Sequence, residues 1–413
     1  MQSMTTNKSF LILFFLLSST ALFAQGGNLS SSPYSFFGLG VGNNLNPGKT
    51  NAMGNTGIAM SDALTINALN PAALSTISTH QFIYDIGLKF QYGLLNQGNG
   101  DESRINSNFS NLSLAVKATP NSAFGLSLKP KTDVGYLVSG IERSIEGSNQ
   151  TFFSTIFGAG GINNLNITYA NSSFKKLRLG FSTSFLFGEI SETETNFISF
   201  TNLQIEDRNV YRGVQFDLGA QYNIRPKTSL GLVFKTSSNL SATRERTVSQ
   251  PNTQTITDEQ DLDSFELPME FGIGLSSYLK NNVLFNFDIK RSFWDATNQE
   301  DEVGRFVDQN LIGFGVQYIP RENGLKFWER THYRMGFQLD TGYLQVNEQQ
   351  VNGYQLTAGL GLPLTKIGSS SLNLSYSFQS NGVINNGLIR EHYHTLTINL
   401  SFSSRWFIKR TVD

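Results

Sequence analysis

Apolar and polar residues alternate with a period of two through almost all of residues 79–404, in runs longer than soluble proteins use. Phe82, Tyr84, Ile86, Leu88, Phe90 and Tyr92 fall on one face of an extended chain, and Asp85, Gly87, Lys89 and Gln91 on the other. The same division separates Leu177, Leu179, Phe181, Phe185 and Phe187 from Lys176, Arg178, Ser182 and Ser184, and Val214, Phe216, Leu218 and Tyr222 from Gln215, Asp217 and Gln221. It returns at Val283–Ile289, Tyr333–Leu339 and Leu396–Phe402. Successive side chains of a strand point to opposite faces, so each ribbon has one face for an apolar medium and one for a polar medium. Soluble strands run about 5–6 residues, whereas a tilted strand crossing a bilayer needs about 9–11. These runs match the second length.

The connections alternate in length. Short turns are expected near 119–122, 172–175, 225–228 and 280–282, and moderate ones near 320–329 and 364–370. Long polar loops are expected near 94–107, 141–163, 190–207, 241–264, 295–308, 345–351 and 380–391, the second and third with enough alternation to hold a further hairpin. Short turns on one side and long loops on the other are the outer-membrane barrel pattern. Six turns and seven loops join fourteen strands, and a closed ring leaves no edge for lipid to satisfy. The fold class is therefore all-β, a transmembrane antiparallel β-barrel of about 14 strands spanning 79–404. The third strand, near 123–140, is interrupted by Pro130, which cannot donate to a ladder. Either one strand kinks there, or 130–133 is a turn between two short strands.

Composition agrees with a barrel. Only 15% of residues are charged, against roughly 25% in soluble domains, while the chain holds 33 Phe and 14 Tyr at a mean hydropathy of −0.20. The net charge of −1 supplies no basic field for nucleic acid, and the absence of Cys excludes disulfides and thiolate chemistry. At the amino terminus, Lys8 precedes an apolar run from Phe10 to Leu17 that continues to Ala24, so residues 1–24 are read as a signal peptide cleaved before Gln25. No later run is long enough for a transmembrane helix. Residues 25–78 are rich in Gly and Asn and contain no strand of spanning length. They either hang in the periplasm or fill the lumen, and the width of a fourteen-stranded ring favours a lumen plug. Residues 405–413 form a carboxy-terminal tail.

No catalytic constellation emerges. Ser is abundant, but no Gly-x-Ser-x-Gly elbow frames it and no His is placed to activate it. Gly38-x-Gly40-x-Gly42 lacks the strand and helix of a dinucleotide fingerprint and reads as plug or linker. His392 and His394 share a strand face beside a loop, where a solvated position outweighs a metal site, and His332 alternates with Arg334 toward the interior. No cofactor is expected. Lys176, Arg178, Asp217, Asp288, Lys290, Arg334 and Asp340 fall on inward faces, since Arg or Lys in lipid costs about 2–4 kcal/mol near the midplane. They are expected to line the lumen, mainly as mutual pairs.

Residues 51–74 carry Gly-Asn-Thr-Gly at 54–57, Asp62-Ala63 and Asn70-Pro71-Ala72-Ala73. These resemble the amino-terminal hatch of the long-chain fatty acid and aromatic hydrocarbon transporter family of outer-membrane barrels (FadL-like). Leu267-Pro268-Met269-Glu270-Phe271-Gly272, with Asp288 and Trp294 after it, resembles a strand-turn-strand pattern of the same family. The region from Tyr333-Arg334-Met335-Gly336 to Arg405–Arg410 resembles its Bacteroidota branch. The resemblance implies fourteen strands, a hatch and a kinked third strand giving a lateral exit into the bilayer. Gly54, Asn55, Gly57, Asp62, Asn70 and Pro71 are then the hatch candidates, and Pro130 the kink candidate. It also implies passive uptake of a hydrophobic small-molecule ligand across the outer membrane, in contact with outer-membrane lipid. Relatives in that branch also serve as partners of protein-secretion and surface-attachment machinery, so a non-transporting interaction barrel is the alternative. The chain departs from many outer-membrane barrels in not ending on an aromatic residue of its last strand.

Overall fold

A computed structural model describes residues 32–96, 100–144, 151–198, 201–251, 255–280, 282–297, 299–300, 304–365, 370–384 and 388–405. The expected signal peptide and all of the tail after Arg405 lie outside the described residues.

Fourteen strands run antiparallel to their neighbours. They are β1 (Gln81–Asn96), β2 (Asp101–Lys117), β3 in two pieces (Ser122–Pro130 and Thr132–Ser144), β4 (Thr151–Asn171), β5 (Leu177–Ile198) and β6 (Thr201–Arg225). There follow β7 in two pieces (Thr228–Lys235 and Ser238–Ser249), β8 in two pieces (Ile256–Leu267 and Glu270–Lys280), β9 (Val283–Ser292), β10 (Gln309–Tyr318), β11 (His332–Asp340), β12 (Gly353–Pro363), β13 (Ser371–Asn381) and β14 (Arg390–Arg405). The ring closes where β1 pairs β14, from Gln81 opposite Arg405 to Asn96 opposite Arg390. Among the described residues no helix is long and apolar enough to cross a membrane.

The alternation read from the sequence sorts side chains as expected. On the outer face Phe90, Phe181 and Phe216 are 45%, 42% and 43% exposed, whereas inward Asp85 and Asn399 are fully buried. Asp85 accepts from Asn111 at 2.7 Å and Asn399 at 3.1 Å, a polar knot joining β1, β2 and β14. Exposed rings on a folded chain mark a surface that meets something other than water.

The expected long loops need correction. In the described parts of 141–163, 190–207 and 241–264 the ladder continues nearly to the hairpin ends. β5 and β6 pair without interruption from Leu177 opposite Tyr222 to Ile198 opposite Thr201, over 22 residues, about twice what a bilayer crossing needs. The outer pieces of β7 and β8 pair from Ser238–Leu267 to Val248–Ile256. The alternation noticed in those stretches is thus the hairpins themselves extending outward. Among the described residues no extra hairpin forms, and the count stays at fourteen. Leu39, Val134, Tyr136, Ile190, Leu240 and Leu267 give the projecting end its own apolar core. Three short strands, Gly304–Phe306, Leu344–Val346 and Gln349–Gln350, join in a separate small sheet.

β3 is one broken strand, not two strands about a turn, because both pieces pair the same continuous β4. The first piece ends with Pro130 opposite Asn163, and pairing resumes with Val134 opposite Gly160. Opposite the break, Gly160 and Gly161 have φ of +129° and +150°. A Cβ on Gly161 would lie 2.3 Å from the Thr132 carbonyl oxygen, and one on Gly160 2.1 Å from that of Glu189, so glycine is required at both.

Candidate functional site

Residues 32–78 pack against inward faces around the ring. The segment has little regular structure, three short 3₁₀ turns at Pro33–Phe36, Thr50–Ala52 and Pro71–Thr76. Its backbone approaches the wall where the wall presents glycine. A Cβ on Gly219 of β6 would lie 2.1 Å from Asn70 Oδ1, and one on Gly336 of β11 2.1 Å from the Gly54 amide nitrogen. Gly180, Gly231, Gly274 and Gly315 receive the segment in the same way.

Of the six residues singled out in this segment, Gly54, Asn55, Gly57, Asn70 and Pro71 sit at contacts with the wall, whereas Asp62 pairs within the segment itself. The Gly54 amide donates to Thr357 Oγ1 at 2.9 Å, and Asn55, at φ +53°, donates to Gln355 Oε1 at 3.2 Å. The Gly57 and Ile58 amides both donate to Asp288 Oδ2, at 2.6 and 2.9 Å. Asn70 is fully buried and caps the Pro71–Thr76 turn, accepting from the Ala72 amide at 3.0 Å. Its Nδ2 donates to Ile58 O at 2.8 Å and reaches Ala220 O and Leu232 O at 3.1 and 3.2 Å. One amide side chain therefore ties two parts of the segment to β6 and β7. Pro71 starts that turn and packs against the Gly219 site, where its fixed φ suits the first helical position.

Asp62 pairs with Lys49 at 2.5 Å. Burial alone would raise its pKa, but the Lys49 ammonium outweighs this and holds it at about 2, below the ordinary 3.8. Because the folded value is depressed, the pair stabilises the seated segment fully above about pH 4, and that contribution is lost as pH falls through 2. Protease cleavage within 32–78, measured against pH, should rise between pH 4 and 2. Asp62→Asn should cleave faster at pH 7 and lose this part of the pH dependence.

The seven inward charges divide differently from the expected mutual pairs. Asp288 holds backbone amides of the segment. Arg334 donates to Gln317 Oε1 at 2.9 Å and Asn373 Oδ1 at 2.7 Å, and approaches His332 Nδ1 at 3.1 Å. Asp340 accepts from Gln309 and from the Gly342 amide. Arg178 donates to Asn223, and Asp217 accepts from Asn166 and Ser184. Among the described residues Lys290 alone of the seven has a salt bridge, to Glu270 at 3.8 Å. Lys176 does not line the lumen; it is exposed in the turn before β5. The Asn- and Gln-rich wall supplies neutral partners, so the ions have no need of one another.

Sequence reading missed an interior charge cluster. Glu270 is approached by Lys235 at 3.2 Å, Lys131 at 3.7 Å and Lys290 at 3.8 Å, with Lys129 nearby on Asn46 Oδ1 at 3.0 Å. These residues line a lumen cavity of about 170 Å³ whose other walls include Leu69, Leu74, Leu114 and Leu126. A signal was present: Lys129 follows the outward Leu128, and Lys235 the outward Phe234, so both fall on inward faces.

Beside the cavity the wall has a seam. The inner end of β2 pairs the first piece of β3 from Leu112 opposite Leu128 to Lys117 opposite Ala123. Beyond that, among the described residues, the outer half of β2 ladders only with β1, and the outer piece of β3 ladders on that side only with Val41–Gly42 of the amino-terminal segment, with the Gly135 amide also donating to Ser35 Oγ at 3.1 Å. Val41 lies opposite Asp133 and Gly42 opposite Thr132, and the Asn43 amide donates to Lys131 O at 2.9 Å. The Gly-x-Gly run thus supplies the short strand that covers the open edge. Side chains bridge the bottom of the seam, with Lys89 Nζ 2.9 Å from Asp133. Pro130 sits where the break begins. His392 and His394 face outward among Tyr376 and Phe378. Among the described residues no three His, Cys, Asp or Glu gather as a metal site.

A closed fourteen-stranded ring with a wet, filled interior and a broken third strand defines an outer-membrane-type β-barrel of the FadL-like fold. Solved structures agree. The chain is similar to a FadL homologue of Pseudomonas aeruginosa (TM-score 0.62, 11% identity, covering 89% of this chain and 100% of that one). It is also similar to the toluene transporter TodX of P. putida (0.60, 16%, 89% and 100%) and to the CymD monoaromatic hydrocarbon channel (0.59, 15%, 87% and 98%). No curated protein matches it. The BamG family model matches residues 6–413, and the chain belongs to the BamG family.

Proposed function

We propose that this barrel carries hydrophobic small molecules, of the hydrocarbon or long-chain fatty acid class, passively from outside into the outer membrane. It reaches that membrane after losing residues 1–24 as an export signal. Residues 32–78 act as the hatch, and the seam beside β3 is the exit. The observation that carries this reading is the missing ladder between the outer half of β2 and the outer piece of β3. A hydrophobic solute gains nothing from an aqueous pore; it needs an apolar pocket and a sideways path into lipid. The cavity at the break is amphipathic, walled by Leu69, Leu74, Leu114 and Leu126 on one part and by Lys129, Lys131 and the other cations around Glu270 on another. The fold shared with a toluene transporter and a monoaromatic hydrocarbon channel supports the same class of cargo.

Vesicles holding the mature chain should take up labelled fatty acid or toluene faster than protein-free vesicles, with glucose uptake unchanged. Equal uptake with and without the protein overturns the reading.

The second reading, a non-transporting barrel that docks a secretion or surface-attachment protein, is favoured by the projecting ends of β4–β8, which transport does not require. Stoichiometric co-purification of a partner lost on trimming 190–207 and 241–264, without uptake, would establish it.

A further inference from the structure

The outer wall on the short-turn side carries a depression on β4–β8 that uptake does not use. Outward positions of five neighbouring strands align there in rows. Tyr169, Phe181, Leu218, Phe234 and Phe271 form one row by direct pairing. In the next row toward the turns, Leu179 pairs Ala220 and Ala220 pairs Leu232. Ala220 is the small residue among large ones, so the wall dips at its position. The result is an apolar groove of about 670 Å³, bounded by aromatic rings and running down to Phe174 in the turn before β5.

The turn end of this groove is cationic. Phe174 is followed directly by Lys175 and Lys176, both exposed. The Asn223 amide donates to the Lys176 carbonyl at 2.8 Å, which sets this turn beside the one containing exposed Arg225. None of these three cations has a carboxylate partner among the described residues. They lie at the turn end of the apolar outer face.

We propose that this groove is a binding site for one anionic phospholipid of the leaflet on the short-turn side, with an acyl chain over Ala220 and the phosphate on Lys175, Lys176 and Arg225. Bulk lipid would fill an apolar dip without preference. The clustered cations add preference, because basic residues at a membrane surface each attract acidic lipid by a modest, additive amount. The proposal rests on the barrel lying in a membrane and is independent of transport.

The test is native mass spectrometry of the mature chain in micelles doped with equal phosphatidylglycerol and phosphatidylcholine. The chain should retain phosphatidylglycerol preferentially. Each of Lys175→Gln, Lys176→Gln and Arg225→Gln should cut that preference by about fivefold, and excess inorganic phosphate should displace nothing. Ala220→Phe, which fills the floor and leaves the cations, should lower retention of both lipids, with circular dichroism confirming an intact barrel. Equal retention of the two lipids by the unaltered chain overturns the proposal. So does an undiminished preference in the triple variant, or displacement by phosphate.

Discussion

With cysteines at Gly42 and Thr132, the barrel should pass no more hydrophobic solute in oxidising buffer than protein-free vesicles do, and should recover on reduction. The two residues are direct partners across the short ladder covering the seam. Cross-strand Cα distances of about 4.5–5.5 Å lie within disulfide range. Nothing lies within 4 Å of a Cβ added at Gly42, so cysteine fits there. The natural chain has no Cys, so the introduced pair is the sole thiol pair. Thr132→Cys weakens the hydroxyl's acceptance from the Ile162 amide, so the single variants serve as controls. If the locked barrel conducts at the unlocked rate, the exit does not lie between Val41–Gly42 and β3, and the uptake reading loses its path.

Asn70→Ala should unseat the amino-terminal segment. Truncation removes the cap of the Pro71–Thr76 turn and leaves the buried Ala72 amide without its acceptor. It also removes the three carbonyl contacts of Nδ2. A buried donor left unmatched costs about 1–3 kcal/mol. With the lost packing, local opening should become roughly a hundredfold more populated. Protease cleavage within 32–78 measures this directly. Asn70→Asp should be worse, although it keeps the cap, because it turns a carboxylate toward carbonyl oxygens in a buried site. Equal cleavage in all three proteins would mean that Asn70 does not anchor the segment.

The period-two pattern made the strands legible because membrane faces impose it on every crossing. Pro130 located the break for the same reason, since a residue that cannot donate interrupts a ladder wherever it falls. The expected loops and the observed strands differ because a polar run does not by itself end a strand. At Glu189–Asn196 the chain leaves the lipid but not the sheet, and the polar residues continue the same ladder. The Lys–Glu270 cluster was unreadable for a different reason. Its members come from β3, β7, β8 and β9, and only ring closure and strand stagger bring them together. Asn70 was legible through its motif, while its partners on β6 and β7 were not.

Closure also dictates an order of events. Asp85 and Ser401 are hydrogen-bonded though 316 positions apart, and the strands that bear them form the final joint. Until the last strand arrives, the first exposes a full row of backbone groups that a bilayer cannot solvate. Such distant pairing is slow. The interior segment packs closely on the glycine-bearing wall, as where Asn70 meets Gly219. Seating of the leading segment and the meeting of the terminal strand with the opening one are therefore expected to be coupled steps of assembly.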